Sequence, residues 1–208
     1  VLLNFWFAIY NDTLEVRVDW DNDGKDEVTI TSDTLIELIY KNYQTSLDNT
    51  NYENPRPYFE AVINSAKYDP EATTPQNCVL FEEENLDHVG KVRFYLMRNE
   101  GTKDKYIRMR KPLMVIDSVR VNGQRGISGV MICDGEANNF LCKAEPPAHD
   151  KWDIDRVRPY KDQKDTDEAK AFKAINAIRK YADNCIKKFF VSKNVPSNIV
   201  YYFQLIFG

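Results

Sequence analysis

Histidine is nearly missing from this chain: His88 and His149 are the two in 208 residues. The four cysteines, Cys78, Cys133, Cys142 and Cys185, are widely spaced. With no C-x-x-C pair and no histidine at zinc-finger spacing, the sequence speaks against a structural zinc site. Two disulfides are the alternative. The chain is long and lysine-rich, shows no signal-peptide pattern, and sets Cys133, Cys142 and Cys185 among apolar neighbours, which favours reduced thiols and a cytoplasmic location. No apolar run approaches the ~18 residues that a membrane span needs. A positive excess is also lacking. Lysine and arginine number 28 against 32 aspartates and glutamates, a net charge of -4, so any nucleic-acid contact has to use a local patch. Repeats and low-complexity segments are absent, and a 43% hydrophobic, 29% charged composition is that of a globular chain with one main core.

What is present reads as strands followed by packed helices, an α+β class with a mostly antiparallel sheet. Leu3 to Ile9, Leu14 to Trp20 and Val28 to Ile30 read as a strand meander, the middle one alternating Leu14, Val16 and Val18 with Glu15, Arg17 and Asp19. Ser32 is positioned to cap a helix running to about Tyr43, with Leu35, Ile36, Leu38 and Ile39 as its buried stripe. A polar tract follows from Asn42 to Pro57, then a short helix from Tyr58 to Tyr68 and a turn-rich tract from Glu71 to Gln76. Lys91 to Arg98 and Lys105 to Arg110 mirror one another across N-E-G-T-K-D as an expected hairpin. Leu113 to Val121 and Gly126 to Cys133 add two strands joined at Asn122-Gly123, a meander of about four. Asp134 is expected to cap a helix over Glu136 to Ala144. The longest helix runs from Asp165 or Thr166 to Phe190, with Phe172, Ile175, Ile178, Ala182, Cys185 and Phe189 on one face. The organisation expected is residues 1–43 as a meander and helix, 44–89 as a loop-rich connector, and 90–208 as sheet and helices, continuous with the rest.

Two constellations invite a functional reading. Asp19, Asp21, Asp23 and Gly24 spell D-x-D-x-D-G, but position twelve is Ile30 where a calcium loop needs a glutamate, so the stretch reads as a hairpin turn. A metal-dependent nuclease built on these aspartates is a weak reading for the same reason. Between Lys91 and Lys111 stand eight basic residues, including Arg93, Lys105 and Arg108. Such a run is either the solvated face of a half-buried sheet or a phosphate-tracking patch for DNA or RNA. Thin aromatic interleaving argues against base stacking.

Ala144 to Asp153, A-E-P-P-A-H-D-K-W-D, holds a further candidate. Pro146 and Pro147 fix φ and stop the preceding helix, and a cation and a large ring follow directly as Lys151 and Trp152. The loop is either a connector with Trp152 in the core and Lys151 solvated, or a mount that offers Lys151 to an anion. His149 beside Asp150 has no recognisable serine or cysteine nucleophile to serve, which excludes a hydrolase elbow here.

The run G-I-S-G-V-M-I-C-D-G-E-A-N-N-F-L-C-K-A-E-P-P-A-H-D-K-W-D, Gly126 to Asp153, resembles the end of the second domain of bacterial GHKL-type ATPases of the MutL and MORC-like kind. Pro147, His149, Asp150 and Lys151 stand in the order of the family's P-x-H-N-K-Q pattern. Arg110, Lys111, Met114 and Ile116 match its R-K-x-G-M-x-I strand by type, although Pro112-Leu113 replaces the glycine turn and shifts the spacing. The resemblance implies a transducer domain with the ribosomal-protein-S-five-like fold, itself not an enzyme, in a parent that is an ATPase. Lys151 would contact the ATP γ-phosphate and Lys111 would be a second contact, with Pro146, Pro147, His149, Asp150 and Trp152 supporting the loop. It implies no cofactor in the chain itself, ATP and Mg in the parent, and an upstream ATPase domain as partner. A nucleotide-dependent homodimer, weak DNA contact and a setting in DNA-linked defence or repair go with it. Val1 opens within an apolar run and the chain closes on Q-L-I-F-G, so both ends are expected to continue into a longer protein. No E-x-x-x-N helix or D-x-G-x-G loop occurs in the sequence, so the chain alone is not expected to bind ATP well. The alternative from another class is a stand-alone nucleic-acid-binding module using residues 91–111.

Overall fold

The computed structural model describes residues 1–19, 27–43, 54–65, 79–98, 104–122, 126–159 and 165–191, which form an α+β fold. Its first element corrects an expectation. Leu2–Tyr10 is a helix, α1, not a strand, and Trp6, Phe7, Ala8 and Ile9 are all buried in it. A short continuous apolar run has no periodicity that separates the two states, and burial on several sides selected the helix. Its end is closed by Asn11 Nδ2 donating to the Phe7 carbonyl at 3.0 Å and Thr13 Oγ1 to that of Ala8 at 2.8 Å. Strands β1, Val16–Asp19, and β2, Glu27–Ile30, pair antiparallel with Val16 opposite Ile30 and Asp19 opposite Glu27. The D-x-D-x-D-G stretch therefore joins two paired strands, although Asp21 and Asp23 lie outside the described residues. Helix α2, Ser32–Asn42, begins one residue earlier than expected because Thr31, not Ser32, is its cap. The Thr31 amide donates to Thr34 Oγ1 at 3.0 Å. Leu35 and Ile39 are buried, whereas Ile36 faces solvent. Helix α3, Arg56–Ser65, starts where Asn54 Oδ1 accepts the Arg56 amide at 2.9 Å.

The main sheet has five strands: β3, Val79–Leu86; β4, Gly90–Arg98; β5, Lys105–Arg110; β6, Met114–Arg120; and β7, Ile127–Cys133. Their spatial order is β3-β4-β7-β5-β6. The expected β4–β5 hairpin does not form. Strand β7 lies between them, antiparallel to β4 and parallel to β5. The β6–β7 turn expected at Asn122-Gly123 does not make a hairpin either, since β5 separates those strands; Gly123 itself is outside the described residues. The cause is burial. Every residue of β7 is buried, and a strand apolar on both faces belongs in the centre of a sheet covered on both sides. Strand β3 had been absorbed into the loop-rich stretch 44–89. Its Phe81 to Leu86 half carries three consecutive glutamates, which suit an edge strand and obscure alternation.

Helices cover both faces. On one, α1, α2 and α3 share a core with Ile107, Met109, Val130 and Ile132. On the other, Val92, Phe94, Leu96, Tyr106 and Met131 meet helix α5, Asp167–Val191. Thr166 caps α5, its Oγ1 accepting the Ala169 amide at 3.2 Å. The buried stripe of α5 includes Ile175, Ile178, Ala182, Cys185 and Phe189 as expected, while Phe172 is only partly buried. The helix expected over Glu136 to Ala144 shrinks to α4, Asn138–Leu141, and a 3-10 turn, Cys142–Ala144. Asp134 does not cap it but pairs with Arg93 at 2.7 Å. Gly135 is pressed on the β3–β4 turn so closely that a Cβ there would lie 2.6 Å from the Val89 carbonyl and the Lys91 amide. Glu136 and Ala137 follow as a turn, in which the Asn138 amide donates to the Gly135 carbonyl at 3.2 Å, and the helix begins only at Asn138.

Candidate functional site

The segment after α4 forms a loop tied at its neck. The Asp153 amide donates to the Ala144 carbonyl at 2.9 Å, and inside the loop the His149 amide donates to the Pro146 carbonyl at 2.9 Å. His149 takes φ +50° to close that turn.

Two buried anchors flank the exposed arc. The first is Glu145, whose side chain is 0% exposed. It takes Arg110 on both oxygens, at 2.5 Å from Nε and 2.6 Å from Nη2. His149 Nδ1 lies 2.8 Å from its Oε2, and Trp152 Nε1 donates to its Oε1 at 3.1 Å. Burial alone would raise the Glu145 pKa, but the hydrogen bonds from Arg110, His149 and Trp152 together with the Arg110 charge outweigh it and hold the carboxyl below its usual range. The second anchor is Trp152, 3% exposed. The Arg108 guanidinium sits 4.6 Å over its ring, and its amide donates to Asp117 Oδ2 at 3.2 Å. Asp117 in turn grips Arg108 at both oxygens, with Nε to Oδ1 at 2.7 Å.

Lys151 stands between these anchors with its side chain 57% exposed. Among the described residues its ionic neighbour is Asp153, at 3.6 Å. The His149 imidazole turns toward Glu145, at 2.8 Å. Pro146 is half-buried and Pro147 exposed, so the prolines shape the exposed arc without anchoring it. Ala148, His149 and Asp150 border an open cavity of about 560 Å³ that runs along Met114 to Ser118 of edge strand β6.

Lys111 is exposed at the β5–β6 turn. The Lys111–Pro112 peptide is cis, and Leu113 takes φ +70°, the left-handed conformation that a glycine adopts most readily. Arg110 Nη1 donates to the Lys111 carbonyl at 2.7 Å. The turn and the Lys151 loop therefore meet at one ion pair. The sequence pattern marks Arg110 only as a basic residue of the R-K-x-G-M-x-I strand and does not single out Glu145. Glu145 lay inside the segment singled out, but its partner is 35 residues away, and the mark it left was an acidic residue directly before two prolines.

The basic set Arg93, Lys105 and Arg108 does not form one patch. In the pairing register Arg108 lies opposite Met131, on the α5 face, whereas Arg93 lies opposite Ile132 on the α1 face. Lys105, three residues before Arg108 in regular pairing with β7, shares the face of Arg93. Arg108 is only 4% exposed. Arg93 is 22% exposed at its side chain and paired with Asp134. These charges serve the two cores, since a charge inside a sheet layer persists only when paired.

Among the described residues no group of His, Cys, Asp or Glu could hold a metal ion, and no helix is long and apolar enough to cross a membrane. Cys133, Cys142 and Cys185 are free thiols; Cys78 lies outside the described residues. Burial pushes the Cys133 thiol up to about 12 and that of Cys185 to about 11, so neither is a nucleophile near neutral pH. No family model, curated protein or solved structure matches this chain.

Proposed function

We propose that this chain is a transducer module of a GHKL-type ATPase, which offers Lys151 to the γ-phosphate of ATP held on a neighbouring ATPase domain and relays nucleotide state. The observation that carries the reading is an exposed ammonium on a loop anchored on either side by two buried side chains, Glu145, which is bonded to Arg110, His149 and Trp152, and Trp152, which is stacked under Arg108. A solvated connector needs no such bracing. The resemblance of Gly126 to Asp153 supports it independently, as does the α+β architecture. The basic stretch 91–111 offers little to the nucleic-acid alternative, because its charges divide between two faces.

ATP is the substrate in this reading, and the adenine pocket and Mg site belong to the partner domain. The residues present suit the part assigned to them, since Lys151 adds one positive charge where negative charge grows on the transferring phosphoryl group. Docking of the two domains excludes water from the ammonium and strengthens its interaction. Glu145 and Trp152 keep the loop from rearranging at that moment, so little reorganisation is needed. We place the protein in the cytoplasm, in DNA-linked defence or repair, with a nucleotide-dependent homodimer as the working assembly.

Lys151→Ala in the protein expressed from its complete reading frame should lower ATP turnover about a hundredfold, or ~2.7 kcal/mol of transition-state stabilisation. The unfolding midpoint of this domain should stay unchanged. Wild-type turnover in that variant would remove the reading and leave residues 144–153 as a connector.

A further inference from the structure

Arg110 and Glu145 form a two-point ion pair between the end of β5 and the neck of the Lys151 loop, at 2.5 and 2.6 Å. Neither residue is part of the exposed arc, and neither is free to touch a docked phosphate: the Glu145 side chain is fully covered and Arg110 nearly so. Each also holds one exposed turn. Arg110 donates to the Lys111 carbonyl at 2.7 Å and lies 3.4 Å from Asn138 Oδ1. Glu145 holds His149 at 2.8 Å and Trp152 at 3.1 Å, the residues two before and one after Lys151. The pair therefore spans two turns that are otherwise separate in sequence and strand.

We propose that Glu145 and Arg110 are positioning residues, a buried clamp that fixes the Lys151 loop against the β5–β6 turn so that the ammonium is preset for a phosphate group. The proposal rests on the reading of Lys151 given above. A planar guanidinium gripped at two points resists rotation as well as separation, which a single contact does not. Glu145 receives donors from three directions, so the carboxylate cannot swing without breaking several bonds at once. Placement within a fraction of an ångström is what a charge acting on a transition state demands. A general packing role would need none of these contacts to converge on the residues flanking Lys151.

The test is a double-mutant cycle on ATP turnover, made in the protein from its complete reading frame and at a temperature where every variant is folded by circular dichroism. Glu145→Gln keeps the shape and removes the charge; Arg110→Lys keeps the charge and removes the two-point grip. Each should lower kcat about tenfold or more with the KM for ATP unchanged, because the preset ammonium acts in the transition state. In the Lys151→Ala background the same substitutions should each cost less than about twofold, since residues acting through one group are not additive. Wild-type kcat in both variants, or an undiminished loss on top of Lys151→Ala, would overturn the clamp and leave the role of Lys151 standing. Wild-type turnover in Lys151→Ala alone would instead overturn the reading on which the clamp rests. Should Glu145→Gln fail to fold, Arg110→Lys carries the same cycle by itself.

Discussion

Trp152→Ala separates an anchoring ring from an incidental one. The indole is 3% exposed and packs in the core beneath α5; removing a buried aromatic of this size costs about 3–5 kcal/mol. Two more interactions leave with it. The Nε1–H bond to the Glu145 carboxylate, 3.1 Å long, has a charged acceptor and is worth about 1.5–3 kcal/mol. The Arg108 stack at 4.6 Å is worth about 0.5–2 kcal/mol. These figures overlap, because one ring supplies all three, so the expected loss is about 4–5 kcal/mol rather than their sum. Trp152→Phe keeps most of the apolar area and a π face and forfeits chiefly the hydrogen bond, an expected loss of about 1.5–3 kcal/mol. Domains of this size are stable by about 5–15 kcal/mol, so the alanine variant should sit near the edge of unfolding while the phenylalanine variant stays folded. Urea titration followed by far-ultraviolet circular dichroism reads both. A cost below about 1 kcal/mol for alanine would mean that the ring does not hold the loop and would refute the reasoning. Equal costs for the two variants would assign the anchoring to the hydrogen bond alone.

The remaining predictions concern the residues around that ring. Burial raises the Glu145 pKa but its hydrogen bonds and Arg110 depress it further, for a net lowering. Its stabilisation is therefore complete above the ordinary carboxylate value of about 4.3 and is lost as pH falls through the lower folded value. Glu145→Gln should melt below the wild type at pH 7, with the gap closing as melts are repeated toward pH 3; a gap constant with pH would count against the ion pair. Gly135→Ala forces a Cβ to within 2.6 Å of two backbone atoms and should cost about 1–3 kcal/mol or more in denaturant titration, whereas an unchanged midpoint would contradict the close approach to the β3–β4 turn. Arg108→Glu sets a second carboxylate against Asp117 in a covered site and should cost about 3–5 kcal/mol, while Lys105→Glu on the opposite face should cost about 0.5–1 kcal/mol; equal losses would refute the assignment of the two residues to different faces.

The sequence by itself determined the α+β class, the strands on either side of the aspartate-rich stretch and the extents of α2 and α5 to within a residue or two, and it offered Trp152 in the core beside a solvated lysine as one of two readings of the loop. Each rests on local information: a period of two or 3.6, a capping threonine, a proline pair that ends a helix. Tertiary structure alone decided the order of the strands. Lys91 to Arg98 and Lys105 to Arg110 read as natural hairpin partners, yet β7 entered between them because a strand apolar on both faces gains most at the centre, a comparison that involves the whole sheet. The same competition turned Leu2–Tyr10 into a helix, since a run of apolar residues specifies burial before it specifies a backbone. Arg108 and Arg110 looked like surface charge because their countercharges, Asp117 and Glu145, are remote in sequence or on another element. Whether a charge faces water or a buried partner is settled by which strands become neighbours, and only the folded chain contains that information.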